Sequence, residues 1–246
     1  MRAHLLLPLS LLLVAALASC NVPASIPDGG NTVRGSGNVI TQTRQVSGFT
    51  AVALSGAGDL QITQTGTESL SIEAEDNVMP LILTAVTNGK LNMGFEPNVN
   101  VNLTKPVVFH LTVKDLRELD LSGAATATIG TLTADTLTVS VSGAGSITCT
   151  SLATSTLTAT LSGAAKGTVS GAATSQTVTM SGAGNYQAAD FLTKDTTLHI
   201  SGAGNAIVAA SATLNVDISG VGTVEYIGSP KVTQQLSGAG TVRKRG

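Results

Sequence analysis

Aromatic residues are almost missing from this 246-residue chain, which has four Phe, two Tyr and no Trp. Its hydrophobic core must therefore be built from aliphatic side chains. Charged residues are also scarce, at 11% of the chain with a formal net charge of −2, which argues against a nucleic-acid partner. Thr, Ser and Gly are abundant. Because Thr and Val favour strands and Gly favours tight corners, this composition predicts an all-β fold with many short strands.

Cysteine occurs twice, and the first copy follows an apolar segment near the start of the sequence. Arg2 precedes an apolar run at residues 5–17, which is shorter than a comfortable transmembrane helix. The residues Leu17-Ala18-Ser19-Cys20 that follow resemble a bacterial lipobox. The resemblance implies a signal peptide at 1–19, cleavage before Cys20, and a lipid on Cys20 that anchors the protein in the membrane. The alternative is an ordinary signal peptide with an incidental cysteine.

The next residues are expected to form a flexible tether at 20–34, because prolines and glycines occur there without periodicity. Asn21, in place of the Asp that often retains lipoproteins at the inner membrane, favours the outer membrane.

The second cysteine, Cys149, has no partner for an internal disulfide if Cys20 is lipidated. Strand alternation places it beside Ile147, and we expect it to be a small buried hydrophobe.

A four-residue phrase, Ser-Gly-small-small, recurs through the chain at Ser55, Ser122, Ser142, Ser162, Ser181, Ser201, Ser219 and Ser237. From the second copy onward, successive phrases begin 18 to 20 residues apart. Each Ser is followed by a glycine: Gly56, Gly123, Gly143, Gly163, Gly182, Gly202, Gly220 and Gly238. We expect these to be structural turn glycines, where the chain needs a positive φ or where stacked turns approach too closely for a side chain.

Apolar and polar residues alternate just before each phrase, as in Leu119, Leu121 and their counterparts Val139 and Val141. Period-two alternation indicates strands with one buried face. Strands and corners repeated in register predict a single-stranded parallel β-helix, or β-solenoid, with coils of 18–20 residues over residues 35–246. General crossover chirality favours a right-handed coil.

The phrase is missing between Ser55 and Ser122, and we expect longer excursions or irregular first coils on the same core there, and not a separate domain. Strands are predicted at 69–74, 81–83, 90–95 and 107–113, with turns that include Asn88-Gly89 and residues 96–98.

Several ordered segments resemble one known family, the putative auto-transporter adhesin head GIN domain. They are residues 44–54 (RQVSGFTAVAL), 58–62 (GDLQI), 70–77 (LSIEAEDN), 88–93 (NGKLNM), 116–123 (LRELDLSG), 224–230 (VEYIGSP) and 236–240 (LSGAG). The resemblance runs from about Gly35 to Arg243. It implies a β-helical fold and a place in the bacterial envelope, and it supplies no catalytic residue.

Candidate chemistry is sparse. Asp120, His199 and Asp217 occupy one outward column, in which His199 and Asp217 should be neighbours on successive coils. A charged pair is the simpler interpretation of the last two, and a catalytic dyad is the alternative. Tyr186 and Phe191 are the candidates for an exposed aromatic platform for sugars. The column after the glycine corners carries too few carboxylates for calcium, and no metal, cofactor or catalytic residue is predicted.

We therefore expect a non-enzymatic, envelope-anchored interaction, adhesion-like or structural module whose Ser/Thr surface contacts a glycan or another envelope protein. The alternative is a carbohydrate-active enzyme that binds or cleaves a polysaccharide. Assembly into a homo-oligomer through the open end coils, whose strand edges lack partners, is a third hypothesis.

Overall fold

The computed structural model describes residues 31–245. The predicted signal peptide, Cys20 and the tether up to residue 30 lie outside the described residues. Among residues 31–245, no helix combines the length and the apolar character needed to cross a lipid bilayer.

Parallel strands make up most of the described chain, with one short 3-10 helix at Met79–Leu81. The strands are β1 (Asn31–Arg34), β2 (Val39–Arg44), β3 (Ala51–Gln64), β4 (Ser69–Glu75), β5 (Ile82–Thr87), β6 (Lys90–Phe95), β7 (Val99–Asn102), β8 (Val108–Val113), β9 (Glu118–Gly143), β10 (Ser146–Gly163), β11 (Lys166–Gly182), β12 (Asn185–Ile200), β13 (Asn205–Ile218), β14 (Thr223–Ile227), β15 (Lys231–Leu236) and β16 (Thr241–Lys244).

The long strands β9 to β13 stack in parallel and in register with the sequence repeat. Leu161 in β10, for example, lies between Val141 of β9 and Met180 of β11. Strands β10 to β13 each cover most of one coil, β9 with 26 residues is longer than one coil, and the chain completes about six turns. The predicted β-solenoid is confirmed.

The interior of the solenoid is a set of aliphatic ladders. Leu121, Val141, Leu161, Met180 and Ile200 hold equivalent positions, and none is more than 2% exposed. Burying one such side chain contributes about 1.5–3 kcal/mol, so the repeated alternation accounts for the stack.

Cys149 is buried in the same interior at 2% exposure, as predicted. Burial raises the pKa of its thiol to about 11, because the low-dielectric interior disfavours the thiolate. A thiol that stays protonated at neutral pH is a poor nucleophile.

The first coils carry hairpins in place of the missing phrase. Strand β3 pairs in parallel with β6, β8 and β9, while β2, β4 and β8 form antiparallel pairs and β5 with β6 forms a hairpin. The hairpin turn has φ of 51° at Asn88 and 76° at Gly89. Tight two-residue hairpins favour positive φ at both central residues. These strands belong to the same sheet as the solenoid, as the sequence predicted.

Two boundaries differ by more than one residue from the sequence-based prediction. The strand predicted at 81–83 is β5, which begins one residue later and extends to Thr87 after the 3-10 helix that contains Pro80. Residues 31–34, assigned above to the tether, form β1 and pair with β7. Their partner is far along the chain, so the local sequence contained no sign of the pairing.

Candidate functional site

One flat side of the solenoid is an array of hydroxyl groups, here called the hydroxyl face. It consists of the outward residues of three successive coils, which are in register: Thr136, Thr138, Ser140, Ser142, Thr156, Thr158, Thr160, Ser162, Ser175, Thr177, Thr179 and Ser181. Neighbouring strands lie about 4.8 Å apart, and alternate residues along a strand lie roughly 6.7 Å apart. The face is therefore a regular, uncharged grid.

Hydroxyls of adjacent coils contact one another across this face. The oxygen of Ser181 lies 3.1 Å from that of Ser162, and the oxygen of Thr156 lies 3.3 Å from that of Ser175. A hydroxyl can donate one hydrogen bond and accept two, so these pairs retain capacity for an external partner.

Charged residues border the hydroxyl face on its N-terminal side. Lys90 binds Glu118 at 2.9 Å and also forms an ion pair with Asp120. The two carboxylates raise the pKa of Lys90, and the largest cause is the hydrogen bond that Lys90 donates to Asp120. Asp120 is thus held in a surface ion pair.

The structure brings His199 and Asp217 together on the C-terminal side of the face, as predicted. Their strands pair residue to residue, and Nδ1 of His199 lies 3.8 Å from Oδ2 of Asp217. That distance is too long for a hydrogen bond, and both side chains are half exposed at 51%. The geometry is that of a loose surface ion pair.

Asp120 does not join this pair. Residues Ser140, Thr160 and Thr179 stand between it and His199 in the same column. Four strand spacings separate the two side chains, roughly 19 Å, so the three candidates form no common site.

The predicted aromatic platform is wrong. Tyr186 is 1% exposed and Phe191 is fully buried. Tyr186 points inward over Gly167, where a Cβ would lie 3.0 Å from the ring, so that glycine makes room for it. Phe191 reaches the core through a bulge, because the register of β12 shifts by extra residues between Ala188 and Leu192. A strict period-two pattern does not anticipate such a shift.

A buried polar network, which the sequence analysis missed, lies beneath this bulge. The Tyr186 hydroxyl donates to Oε1 of Gln176 at 3.0 Å, and Nε2 of Gln176 donates to the hydroxyl of Thr196 at 3.1 Å. Thr193 lies 2.7 Å from Thr196 and donates to the carbonyl of Ala209. Burial raises the pKa of Tyr186, so its hydroxyl stays protonated. Gln176 stands where Leu157 stands one coil earlier, and that break in an apolar column was the available signal.

An open groove of about 450 Å³ lies on another side of the same coils, and we call it the Leu192 groove. It is lined by Ala173, Leu192, Thr193, Lys194, Ala209, Ala210, Ser211, Ile227, Gly228 and Ser229. Leu192 is 65% exposed, which is high for so large an aliphatic side chain. The wall is mainly apolar, and Lys194 is its one charged residue.

At the N-terminal end, buried Glu75 accepts backbone hydrogen bonds from Gly37 at 2.7 Å and from Thr104 at 3.1 Å. The Thr104 hydroxyl also donates to it, and this bond is the largest cause of the lowered pKa of Glu75. Asp76 accepts from Ser36 and Asn38 in the same way. These bonds fasten the segment between β1 and β2 to the solenoid.

Within residues 31–245, no group of three or more His, Cys, Asp or Glu residues is placed to hold a metal ion.

The sequence matches one family along most of its length. Residues 48–230 match the family described as "Putative auto-transporter adhesin, head GIN domain". No curated protein matches the chain.

Solved structures of bacterial proteins share the fold. A putative adhesin of Bacteroides fragilis is 25% identical with a TM-score of 0.82, covering 87% of this chain and 100% of its own. A putative lipid binding protein of Parabacteroides distasonis is 19% identical with a TM-score of 0.73, covering 88% of this chain and 100% of its own. A putative adhesin of the same organism is 20% identical with a TM-score of 0.71, covering 87% of this chain and 100% of its own. The last two likenesses, below 25% identity, show the fold alone.

Proposed function

The chain belongs to the family described as "Putative auto-transporter adhesin, head GIN domain". We propose that it is a non-catalytic adhesion module of the bacterial envelope that binds an uncharged, repetitive glycan through its hydroxyl face. The family description indicates an exported or surface protein and an adhesion-like role. The observation that carries the finer proposal is the register-matched, uncharged grid of Ser and Thr.

The chemistry of the grid suits such a polymer. A glycan presents hydroxyls at a regular spacing, and each can exchange a hydrogen bond with a Ser or Thr side chain. Each exchange contributes little on its own, because both partners leave water. Many contacts made together on a rigid surface add up, and the stacked strands hold the hydroxyls in place before binding.

The test is retention of the protein on insoluble envelope polysaccharides. Thr158→Glu and Thr177→Glu place carboxylates in the middle of the hydroxyl face, where strand pairing already puts the two residues side by side. We expect the double variant to lose most binding. The matched control is Thr168→Glu, an exposed threonine outside the hydroxyl face. Equal retention of the wild type, the double variant and Thr168→Glu would refute a role for the hydroxyl face.

We also propose that a lipid on Cys20 holds the module in the outer membrane, with residues 21–30 as a tether. The lipobox-like sequence supports this proposal. Protease treatment of intact cells tests it against Cys20→Ser. We expect the wild-type domain to be cleaved from whole cells and the variant to be released into the medium. Protection of the wild-type domain until the outer envelope is broken would contradict surface exposure and leave a periplasmic role.

The alternative, a carbohydrate-active enzyme, has two exposed His–carboxylate pairs among the described residues as candidate dyads, the predicted His199–Asp217 pair and His110–Glu73, whose Nε2 and Oε1 lie 3.1 Å apart. Measurable cleavage of an envelope glycan that disappears in His199→Ala would overturn the non-catalytic proposal. For His199 and Asp217, the 3.8 Å separation and the half-exposed side chains favour the interpretation as an ion pair.

A further inference from the structure

The Leu192 groove is a local departure from the regular repeat. Strand β12 carries extra residues between Ala188 and Leu192 relative to β13, and the register shifts again between Thr193 and Asp195. The first shift buries Phe191 and leaves Leu192 outside. The neighbouring coils supply small residues at this place, among them Ala173 and Ala210, so a depression opens beside Leu192.

The floor of this depression is rigid. Thr193 is 4% exposed, and its hydroxyl donates to the carbonyl of Ala209 at 2.7 Å while lying 2.7 Å from the hydroxyl of Thr196. Its hydrogen-bonding capacity is taken up inside the protein. At Thr193 the floor therefore gives a ligand a surface to pack against and no free hydroxyl group to bind.

The residues that line the Leu192 groove favour some classes of ligand over others. A volume of about 450 Å³ lies within the usual range for small-molecule sites, which are mostly apolar with a few polar groups. The lining contains no aromatic side chain on which a sugar ring could stack. Leu192, Ile227 and the alanines offer aliphatic surface, which suits a flexible hydrocarbon chain.

Lys194, the one charged residue of the lining, is not neutralised by an ion pair, and a second cation is close, since Nζ of Lys244 lies 3.3 Å from Oγ of the lining residue Ser229. No ion pair within residues 31–245 involves Lys194. The carboxylates nearest in sequence, Asp190 and Asp195, do not line the groove, and Asp195 accepts a hydrogen bond from Thr213 at 2.6 Å. A cation at the rim of an aliphatic groove complements an anionic group at the end of a hydrocarbon chain.

We propose that the Leu192 groove binds a single acyl chain that ends in a carboxylate, with the hydrocarbon against Leu192 and Ile227 and the carboxylate beside Lys194. This site lies apart from the hydroxyl face and does not depend on the glycan proposal. It gives the protein a second binding activity, toward free fatty acids.

The experiment uses the full chain with Cys20→Ser, so that no lipid of its own competes, and measures displacement of a fluorescent fatty acid by palmitate and by monopalmitoylglycerol. We expect one palmitate per chain. Leu192→Ser removes the exposed apolar contact and Ala173→Phe fills the groove, and each should weaken both ligands by about tenfold or more. Lys194→Gln should weaken palmitate and leave the uncharged ester unchanged.

Two variants serve as matched controls. Val221→Ser changes another exposed aliphatic residue, 62% exposed, and Lys166→Gln removes another exposed lysine. Neither residue lines the groove, so both variants should bind palmitate as the wild type does.

Three results would overturn the proposal. The first is no binding of palmitate below its micelle concentration. The second is binding that survives both Leu192→Ser and Ala173→Phe, which would place the acyl chain elsewhere. The third is self-association that Leu192→Ser abolishes while palmitate has no effect on it, which would make a second copy of the chain the occupant.

Discussion

At the scale of single residues, the corner glycines show two separate constraints. Gly143 has a φ of 93°, a region that side chains rarely adopt, and a Cβ there would also lie 2.5 Å from the carbonyl oxygen of Gly123. Gly202 lacks the positive φ, yet a Cβ would lie 2.1 Å from the carbonyl oxygen of Gly182 on the preceding coil. At Gly202 a side chain is excluded only by the close approach of the preceding coil.

We expect Gly202→Ala to lower the free energy of unfolding by at least about 2 kcal/mol, because backbone of the adjacent coil must move to admit one methyl group. Gly130→Ala is the matched control, since a Cβ at Gly130 meets nothing within 4 Å. Urea titration of the two variants checks this. A Gly202→Ala protein as stable as Gly130→Ala would show that the coils can move apart without loss of stability.

A second prediction at this scale concerns Glu75. Its pKa is lowered in the folded protein from the ordinary value of 4.5. A lowered folded-state pKa means that ionised Glu75 stabilises the fold above pH 4.5, and that this stabilisation disappears as the pH falls through the folded-state pKa. We expect the wild type to lose more stability than Glu75→Gln between pH 6 and pH 3, measured by urea titration at each pH. Parallel losses in both proteins would assign the acid sensitivity to other carboxylates, such as Asp76.

At the scale of elements, the buried polar network explains why β11 and β12 depart from the aliphatic pattern. Gln176 and Thr196 replace leucines in an interior column and satisfy each other together with Tyr186. Such groups stabilise only as a complete set, because an unmatched buried donor or acceptor costs more than a made hydrogen bond contributes.

Tyr186→Phe should therefore destabilise the protein by about 1–3 kcal/mol, since it removes the donor to Oε1 of Gln176 and leaves that oxygen buried. Thermal unfolding of the single variant and of Tyr186→Phe with Gln176→Leu measures the coupling. We expect the second substitution to add less than its separate cost. Strict additivity would mean that the two side chains act independently.

The elements that could be predicted from the sequence are those that repeat. The coils from Ser122 onward display their register in the spacing of one phrase, and Leu121 or Val141 reveals its inward direction by alternation. The hairpin at Asn88-Gly89 was visible because those residue types tolerate a positive φ. The pairing of β1 with β7 was not visible, because it depends on contacts between segments far apart in sequence. The Leu192 groove escaped prediction for a related reason, since a bulge in β12 changes which side chains face outward.

At the scale of the whole molecule, the two ends of the solenoid differ. Toward the N-terminal end the sheet finishes in the antiparallel strands β4 and β2, with β2 as its edge, whereas at the C-terminal end it finishes in the parallel strands β15 and β16, each paired with one strand only within the described residues. Gln234 stands at an otherwise apolar inward position near that open end, and Arg243 and Arg245 both pair with Glu225. Polar and charged residues of this kind discourage edge-to-edge pairing. Homo-oligomer formation stays a prediction.

The register-matched stack also has a mechanical consequence. Each coil is held by hydrogen bonds to its neighbours in the stack, so a load applied between the chain ends should peel the coils away singly, beginning at the open C-terminal end. A coil of 18 to 20 residues would release roughly 60–70 Å of extended chain. Single-molecule stretching should record a series of similar steps of that length, whereas one rupture of the full length would show that the coils fail together. A protein that yields in steps would dissipate energy gradually while it lengthens.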